Sequence, residues 1–473
     1  MVTTNALEKT FEGGKAGEER SIPLGYGKIP HRFVDKVDQI ISADHTLPVQ
    51  NLDETLDISL EEPIGQLRLQ EFIEPHHKIA IIVSDRSRKL PRERMIEAIH
   101  REIPHIPYSQ FTLIIANGTH QPSRPEELGL SEDLIKRYRW VSHDSKDLKQ
   151  LRYIGRTPWK MKSFFLKILP GEIKKSWHDK AHNASLWVKA IRRKDGNELK
   201  QLLLVSLPVR LLLFFLSGTS IPIFLNKVIF GVDWIISIGQ IQPHYFVGFS
   251  GGIKNLFPGI AAKFSIAFNH FMTIHPTAKI GNVEKNIVRD DLETVARLLP
   301  KITILNIVGG PGGKIYGAVS GDPIAAHRVG AKICKNANMG EFSAKTDIVV
   351  VSAAEPMGKS IYQLAKTLVP ASFVVKRGGT IICTGSCSEG VGGSYLIINQ
   401  IIYRNGIKHY LPPGVTLKLV SEAKAHIVEK TFLKPSASIE DALDEAFSIY
   451  GEEASLTIIP EAAQLMVMQK NSH

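Results

Sequence analysis

The sequence predicts an α/β protein built as two domains with mainly parallel sheets. Three observations carry that prediction. At 473 residues the chain is longer than a single hydrophobic core usually serves. Apolar residues make up 43% and charged residues 22%, enough apolar surface to fill two cores. Short apolar runs rich in β-branched residues also alternate with helix-like stretches. Strands that are apolar on both faces belong to parallel sheets covered by helices.

Taken in order, the N-terminal MVTTNALEKTFEGGKAGEER has no apolar core of a secretory signal. KIAIIVSD (78–85), FTLIIANG (111–118) and VDWIISIG (232–239) read as buried strands of a first domain spanning 1–300. Within it, 158–217 breaks the pattern: it is Lys-rich, contains Trp159, Trp177 and Trp187, and ends in LLLVSLPVRLLLFFL. That final run is interrupted by Pro208 and Arg210. It is shorter than the roughly 20 apolar residues a spanning helix needs. It is therefore read as an inserted helical lobe, either a cover or dimer contact, or a basic amphipathic surface for a membrane or a protein partner. A second domain is expected over 301–451, opened by ITILNIVGG and continued by TDIVVVSAA (346–354) and GGTIICTG (378–385). SIEDALDEAFSIYG (438–451) reads as a helix capped by Ser438 with acidic residues in its early turns. Residues 452–473 are expected to pack back on the body.

The net charge of +11 would ordinarily point to nucleic acid or a membrane surface. Thirteen Lys or Arg against four Asp or Glu fall between Arg156 and Arg210, so the rest of the chain is nearly neutral. The basic residues are not interleaved with a recognisable nucleic-acid motif, and no nucleic-acid partner is expected. Cys334, Cys383 and Cys387 form no CxxC pair, which argues against a disulfide framework and a thiolate zinc site and favours a cytoplasmic setting.

Four clusters could carry chemistry. In SDRSRKLP (84–91), Asp85 and Arg88 follow a buried strand, and a guanidinium there can fork onto a carboxylate. In NGTHQP (117–122) a turn holds His120, whose imidazole can exchange protons near neutral pH. QPHYFVGFSGGIKNLFPGIAAKFSIAFNH (242–270) contains His244, Ser250, Gly251, Gly252, Lys254 and His270. Its GFSGG could turn backbone N–H groups toward a phosphate, yet the run completes neither GxGxxG nor GxxxxGK[ST]. In IYQLAK (361–366), Tyr362, Gln363 and Lys366 can share one helix face. Taken singly, each also suits a structural role: a closed turn, a hydrogen-bonding histidine, a close-packing glycine turn or a solvated helix face.

Together the clusters resemble the nickel-pincer lactate racemase family. The pattern GFSGGxKxxxPGI, with His244 ten residues before Lys254 and Asn269-His270 at its end, is long and specific. The resemblance spans nearly the whole chain outside the N-terminal tail and the insertion. It implies an active site in the interdomain cleft and inversion at C2 of a 2-hydroxy acid, lactate or a relative. It also implies a pyridinium-3,5-bisthiocarboxylic acid mononucleotide attached to Lys254. Nickel would be held by two sulfurs and a ring carbon of that cofactor and by His270, with Ser250, Gly251 and Gly252 beside it. His120 and His244 would be the paired acid/base groups. Arg88, Tyr362, Gln363 and Lys366 would bind substrate, with Asp85 orienting its neighbours. Hydride transfer to the cofactor through a 2-keto acid intermediate, returned to the opposite face, would invert the centre. Cofactor-maturation proteins are the implied partners.

Two departures stand out. The family commonly has Gly-Gly-x-Pro-x-Asp before its Tyr-Gln, and here AAEPMGKS (353–360) puts Gly358 at the acid. The usual Cys after His-Asp is Ser145. Neither removes a ligand or a base, but the first lies beside the substrate set and leaves lactate itself open. The alternative is a cofactor-free relative acting as a scaffold recruited through its basic insertion.

Overall fold

The computed structural model describes residues 21–43, 48–158, 220–299, 301–310, 313–395, 397–404 and 406–470. In chain order its main elements begin with β1 (Val37–Ile40), α1 (Leu52–Glu61), β2 (Ile79–Ser84), α2 (Arg92–Glu102), β3 (Phe111–Ala116), α3 (Glu132–Arg137) and β4 (Arg139–Ser142). They continue with β5 (Leu151–Pro158), β6 (Ser220–Asn226), β7 (Trp234–Ile241), α4 (Lys263–Phe271), α5 (Ile287–Leu298), β8 (Ile302–Gly309), β9 (Ile315–Gly321) and α6 (Ala325–Ala337). The remainder are β10 (Met339–Phe342), β11 (Thr346–Ser352), α7 (Ile361–Leu364), α8 (Leu368–Val374), β12 (Val375–Thr384), β13 (Thr416–Val420), β14 (Lys434–Ser436), α9 (Ile439–Tyr450), β15 (Leu456–Ile459) and β16 (Met466–Gln469).

The chain divides into two compact units, one of residues 49–309 and 315–334, the other of 1–48, 310–314 and 335–473. In the first, six strands run in the order β9-β8-β7-β2-β3-β4, all parallel except β9. Every residue of β2 and β8 is buried. That is why these runs carry no apolar/polar alternation. In the second, β14-β13-β12-β11-β15-β1 form a wholly parallel sheet. The α/β class with mainly parallel sheets holds.

The expected boundary at Lys301 is corrected. β8 pairs with β7 over Ile302 to Val308 and so lies inside the first sheet. The N-terminal β1 belongs instead to the second sheet, beside β15. Residues 452–473, as far as described, build that unit: β15 pairs with β11 and β16 with β10. A linear reading cannot see this, because pairing partners distant in sequence decide it. The helix read from SIEDALDEAFSIYG forms as α9, where Ser438 Oγ accepts from the Asp441 N–H at 3.0 Å.

β5 and β6 form a separate antiparallel ladder from Leu151–Asn226 to Pro158–Ser220. The intervening segment therefore leaves and re-enters the fold at adjacent residues. The expected helical lobe at 158–217 lies outside the described residues but for Pro158. No helix among the described residues is long and apolar enough to cross a membrane. All three cysteines are buried free thiols.

Candidate active site

β2 ends at Ser84, and the turn after it buries Asp85. The Asp85 carboxylate accepts from Ser87 Oγ at 2.6 Å and from His120 Nδ1 at 2.5 Å. Burial pushes this carboxyl up, but the hydrogen bonds from His120 and Ser87 and the charge of Arg88 outweigh it and hold it below the usual value. Asp85 is thus an anion. Its acceptance from Nδ1–H fixes the His120 tautomer with Nε2 as the free base. The His120 side chain is about half exposed, so Nε2 can meet a ligand. Arg88 is exposed, and its backbone N–H donates to Asp85 O at 3.3 Å.

The turn bearing His120 is built from beneath. Gly118 adopts φ +55°, and its N–H donates to Gly259 O at 2.8 Å. Asn117, buried, donates to His143 O at 2.8 Å and accepts from the Ser123 N–H at 3.0 Å. Sequence reasoning missed Arg92. Its buried guanidinium donates to the carbonyls of Ser84, Asp85, Arg88 and Leu128 and so ties down the Asp85–Arg88 turn. Burial lowers its pKa to about 10, with the Asp85 charge opposing.

In the same unit, His244, Lys254 and His270 gather round Phe246. The His244 and His270 rings lie 4.6 and 5.3 Å from the Phe246 ring, and the Lys254 ammonium 6.0 Å from it. His270 Nδ1 donates to Ile266 O at 2.9 Å along α4, leaving Nε2 as a lone-pair donor. Burial first, then the Lys254 charge, pushes this imidazole down to about 4, so it is neutral, the state a metal ligand needs. Among the described residues, the grouping of three metal-capable side chains lies elsewhere, at Glu74, His76 and His77. A single imidazole at His270 fits a metal held mainly by its cofactor, and Lys254 nearby offers the amine for attachment.

In the GFSGG run, where backbone N–H groups could turn toward a phosphate or the glycines could serve close packing, several amides turn inward. The amides of Ser250, Gly252 and Lys254 are spent inside the protein, on Gln242 O, Asn306 Oδ1 and Gly251 O at 2.8, 2.6 and 3.2 Å. The glycines serve close packing: Gly251 and Gly252 take φ of +75° and +61°. A Cβ on Gly252 would come 2.9 Å from the His327 ring.

Tyr362, Gln363 and Lys366 belong to the other unit, at α7 and the turn after it. Ser360 caps that helix, its Oγ accepting from the Gln363 N–H at 3.4 Å. The three share a face as expected: Lys366 Nζ donates to Gln363 Oε1 at 2.5 Å and lies 5.9 Å from the Tyr362 ring centre.

A buried carboxylate behind one imidazole, with two further imidazoles and a lysine gathered round Phe246, suits proton-transfer chemistry, and the relatives of this fold place the chain among racemase-type isomerases. The family model for the lactate racemase N-terminal domain matches residues 24–167 and 216–281, and that for the C-terminal domain matches 342–411. The chain belongs to the lactate racemase family. The lactate racemase of Lactiplantibacillus plantarum is 26% identical over 445 residues, 88% of this chain and 90% of that one. That of Thermoanaerobacterium thermosaccharolyticum is 26% identical over 485 residues, covering 95% and 99%. The fold matches the lactate racemase apoprotein from T. thermosaccharolyticum with a TM-score of 0.71 at 23% identity, over 95% of this chain and all of that one. A Thermotoga maritima protein matches with a TM-score of 0.60 at 16% identity, over 90% of this chain and all of that one.

Proposed function

We propose that this chain inverts the C2 centre of lactate or a related 2-hydroxy acid, using a nickel-pincer nucleotide attached to Lys254. The observation that supports it best is the grouping of His244, Lys254 and His270 around Phe246, with His270 neutral and its Nε2 lone pair available. When bound, the nickel cofactor supplies a hydride acceptor, which the weakly acidic C2–H of a 2-hydroxy acid requires.

The chain's own residues supply the rest. His120 Nε2, with Asp85 fixed behind Nδ1, takes or returns the hydroxyl proton for one hand of substrate, and His244 does so for the other. The C2–H bond breaks as hydride and the hydroxyl loses a proton, so a 2-keto acid is the intermediate. Reversal on the opposite face completes inversion. Arg88, Tyr362, Gln363 and Lys366 are the substrate-binding set. Loading requires cofactor-maturation proteins as partners.

Lys254→Ala tests the reading. Both chains are co-expressed with maturation enzymes and examined by intact mass, nickel content and polarimetry. Wild type should carry a mass increment on the Lys254 peptide and about one nickel per chain, as a single tetragonal site requires. The variant should carry neither and should not racemise, with unchanged melting. A fully active Lys254→Ala chain would refute the proposal.

A further inference from the structure

Three buried side chains outside the roles above hold the Lys254 turn from beneath, each from a different element: Arg289 of α5, Asn306 of β8 and His327 of α6. Arg289 Nη2 donates to Phe249 O and, at 3.4 Å, to Val247 O. Asn306 Oδ1 accepts from the Gly252 N–H at 2.6 Å. His327 Nε2 donates to Ser250 O at 2.9 Å. Every carbonyl or amide so captured lies within seven residues of Lys254.

We propose that His327 is a positioning residue for Lys254: it locks the Ser250–Gly252 turn so that the lysine amine faces the cofactor in one orientation. This rests on the proposed function. Two observations single out His327. Its ring edge lies where a Cβ on residue 252 would stand, with Cδ2 2.9 Å away, so Gly252 and the imidazole are fitted to each other. The ring also faces cations. Arg289 and Arg328 both act on it, and Arg328 is paired with Glu293 at 2.7 Å and Glu284 at 3.3 Å. A neutral N–H donor meets Ser250 O there without adding a third charge, which a lysine or arginine would. Losing that donor frees the Ser250 carbonyl, and with it the positive-φ pair Gly251-Gly252, which only Ile253 separates from Lys254.

The experiment compares wild type with His327→Leu, which removes the donor, and His327→Gln, whose amide can replace Nε2–H. All are co-expressed with maturation enzymes, and the fraction of chains with the Lys254 mass increment is read after a fixed time, alongside nickel content and melting. His327→Leu is expected to melt as a folded protein yet load at least tenfold less, with His327→Gln restoring at least half of wild-type loading. Should the leucine variant not fold, His327→Asn, too short to reach Ser250 O, replaces it with the same expectation. Loading of a donor-free variant equal to wild type overturns the role of His327 and leaves that of Lys254 standing. A wild-type chain that never loads overturns the reading of Lys254 and this inference with it.

Discussion

Pro158 pairs with Ser220 at the end of the β5–β6 hairpin ladder, so the chain on either side of residues 159–219 is held together without them. Replacing those 61 residues by a four-residue turn should leave both strands in place. For an unstructured loop, closure cost scales as (3/2)RT ln n, so the shortening gains about 2 kcal/mol. The family model also passes over residues 168–215, so the excision removes little that the model matches. The assay measures urea unfolding, racemisation by the cofactor-loaded protein and co-sedimentation with anionic liposomes. Stability should rise by up to about 2 kcal/mol, and racemisation should stay within threefold. Liposome binding by the intact chain, lost on excision, would identify the segment's partner as a membrane. Among the described residues, β6 links the excision point to the segment leading into α4: the Asn226 N–H donates to Ile260 O and the Ala262 N–H to Phe224 O. A folded excised chain with racemisation lowered more than tenfold would refute the hairpin argument and make the insertion part of the catalytic body.

Asp85→Asn should lower kcat about 100-fold in both directions with KM little changed, because an amide cannot hold His120 in the same tautomer as an anion. Polarimetry from each enantiomer checks this, and activity within threefold of wild type would sink the assignment. His100 packs 4.3 Å from Tyr108 and 4.5 Å from Phe111, and burial first, then Arg137, lowers it to about 4. The folded value is depressed, so the unfolded chain binds the proton first. Stability is full above the unfolded value of about 6.5 and falls as pH drops toward 4. His100→Phe should flatten that acid limb by on the order of 2 kcal/mol, measured by urea unfolding at pH 7 and pH 5; an unchanged difference would refute it.

Strand-end residues were the legible part of the site. Asp85 and His120 each follow a run apolar on both faces, and such runs leave few places for a polar side chain except the strand's end. The Tyr362, Gln363 and Lys366 face was legible from helical spacing alone. The supports were not. Arg92 and Arg289 look like ordinary charged helix residues, and only the tertiary fold shows their guanidiniums donating to backbone carbonyls. Asn306 did leave a signal, a lone amide inside the apolar ITILNIVG. The domain boundary failed because β8 carries nothing in its own residues to show which sheet it joins.

The departure at Gly358 has a physical cause in the turn that carries it. A Cβ there would stand 2.3 Å from Ala353 O, so no side chain fits without moving the turn. Gly358 O accepts from the Cys387 N–H at 2.8 Å and from Ser386 Oγ at 3.3 Å, which ties the turn to the loop after β12. The absent acid is therefore a differently built turn, and Gly358→Asp would not recreate the family pattern. The nearest acid in the sequence, Glu355, is exposed, accepts from Ser386 Oγ at 3.3 Å and pairs with Lys359 at 3.7 Å. That turn runs directly into Ser360, the cap of α7, and hence into the helix bearing Tyr362 and Gln363. On the proposed function, a differently built turn before the helix bearing Tyr362 and Gln363 should change which 2-hydroxy acid is accepted more than it changes the rate of inversion. A comparison of racemisation rates across a series of 2-hydroxy acids checks this.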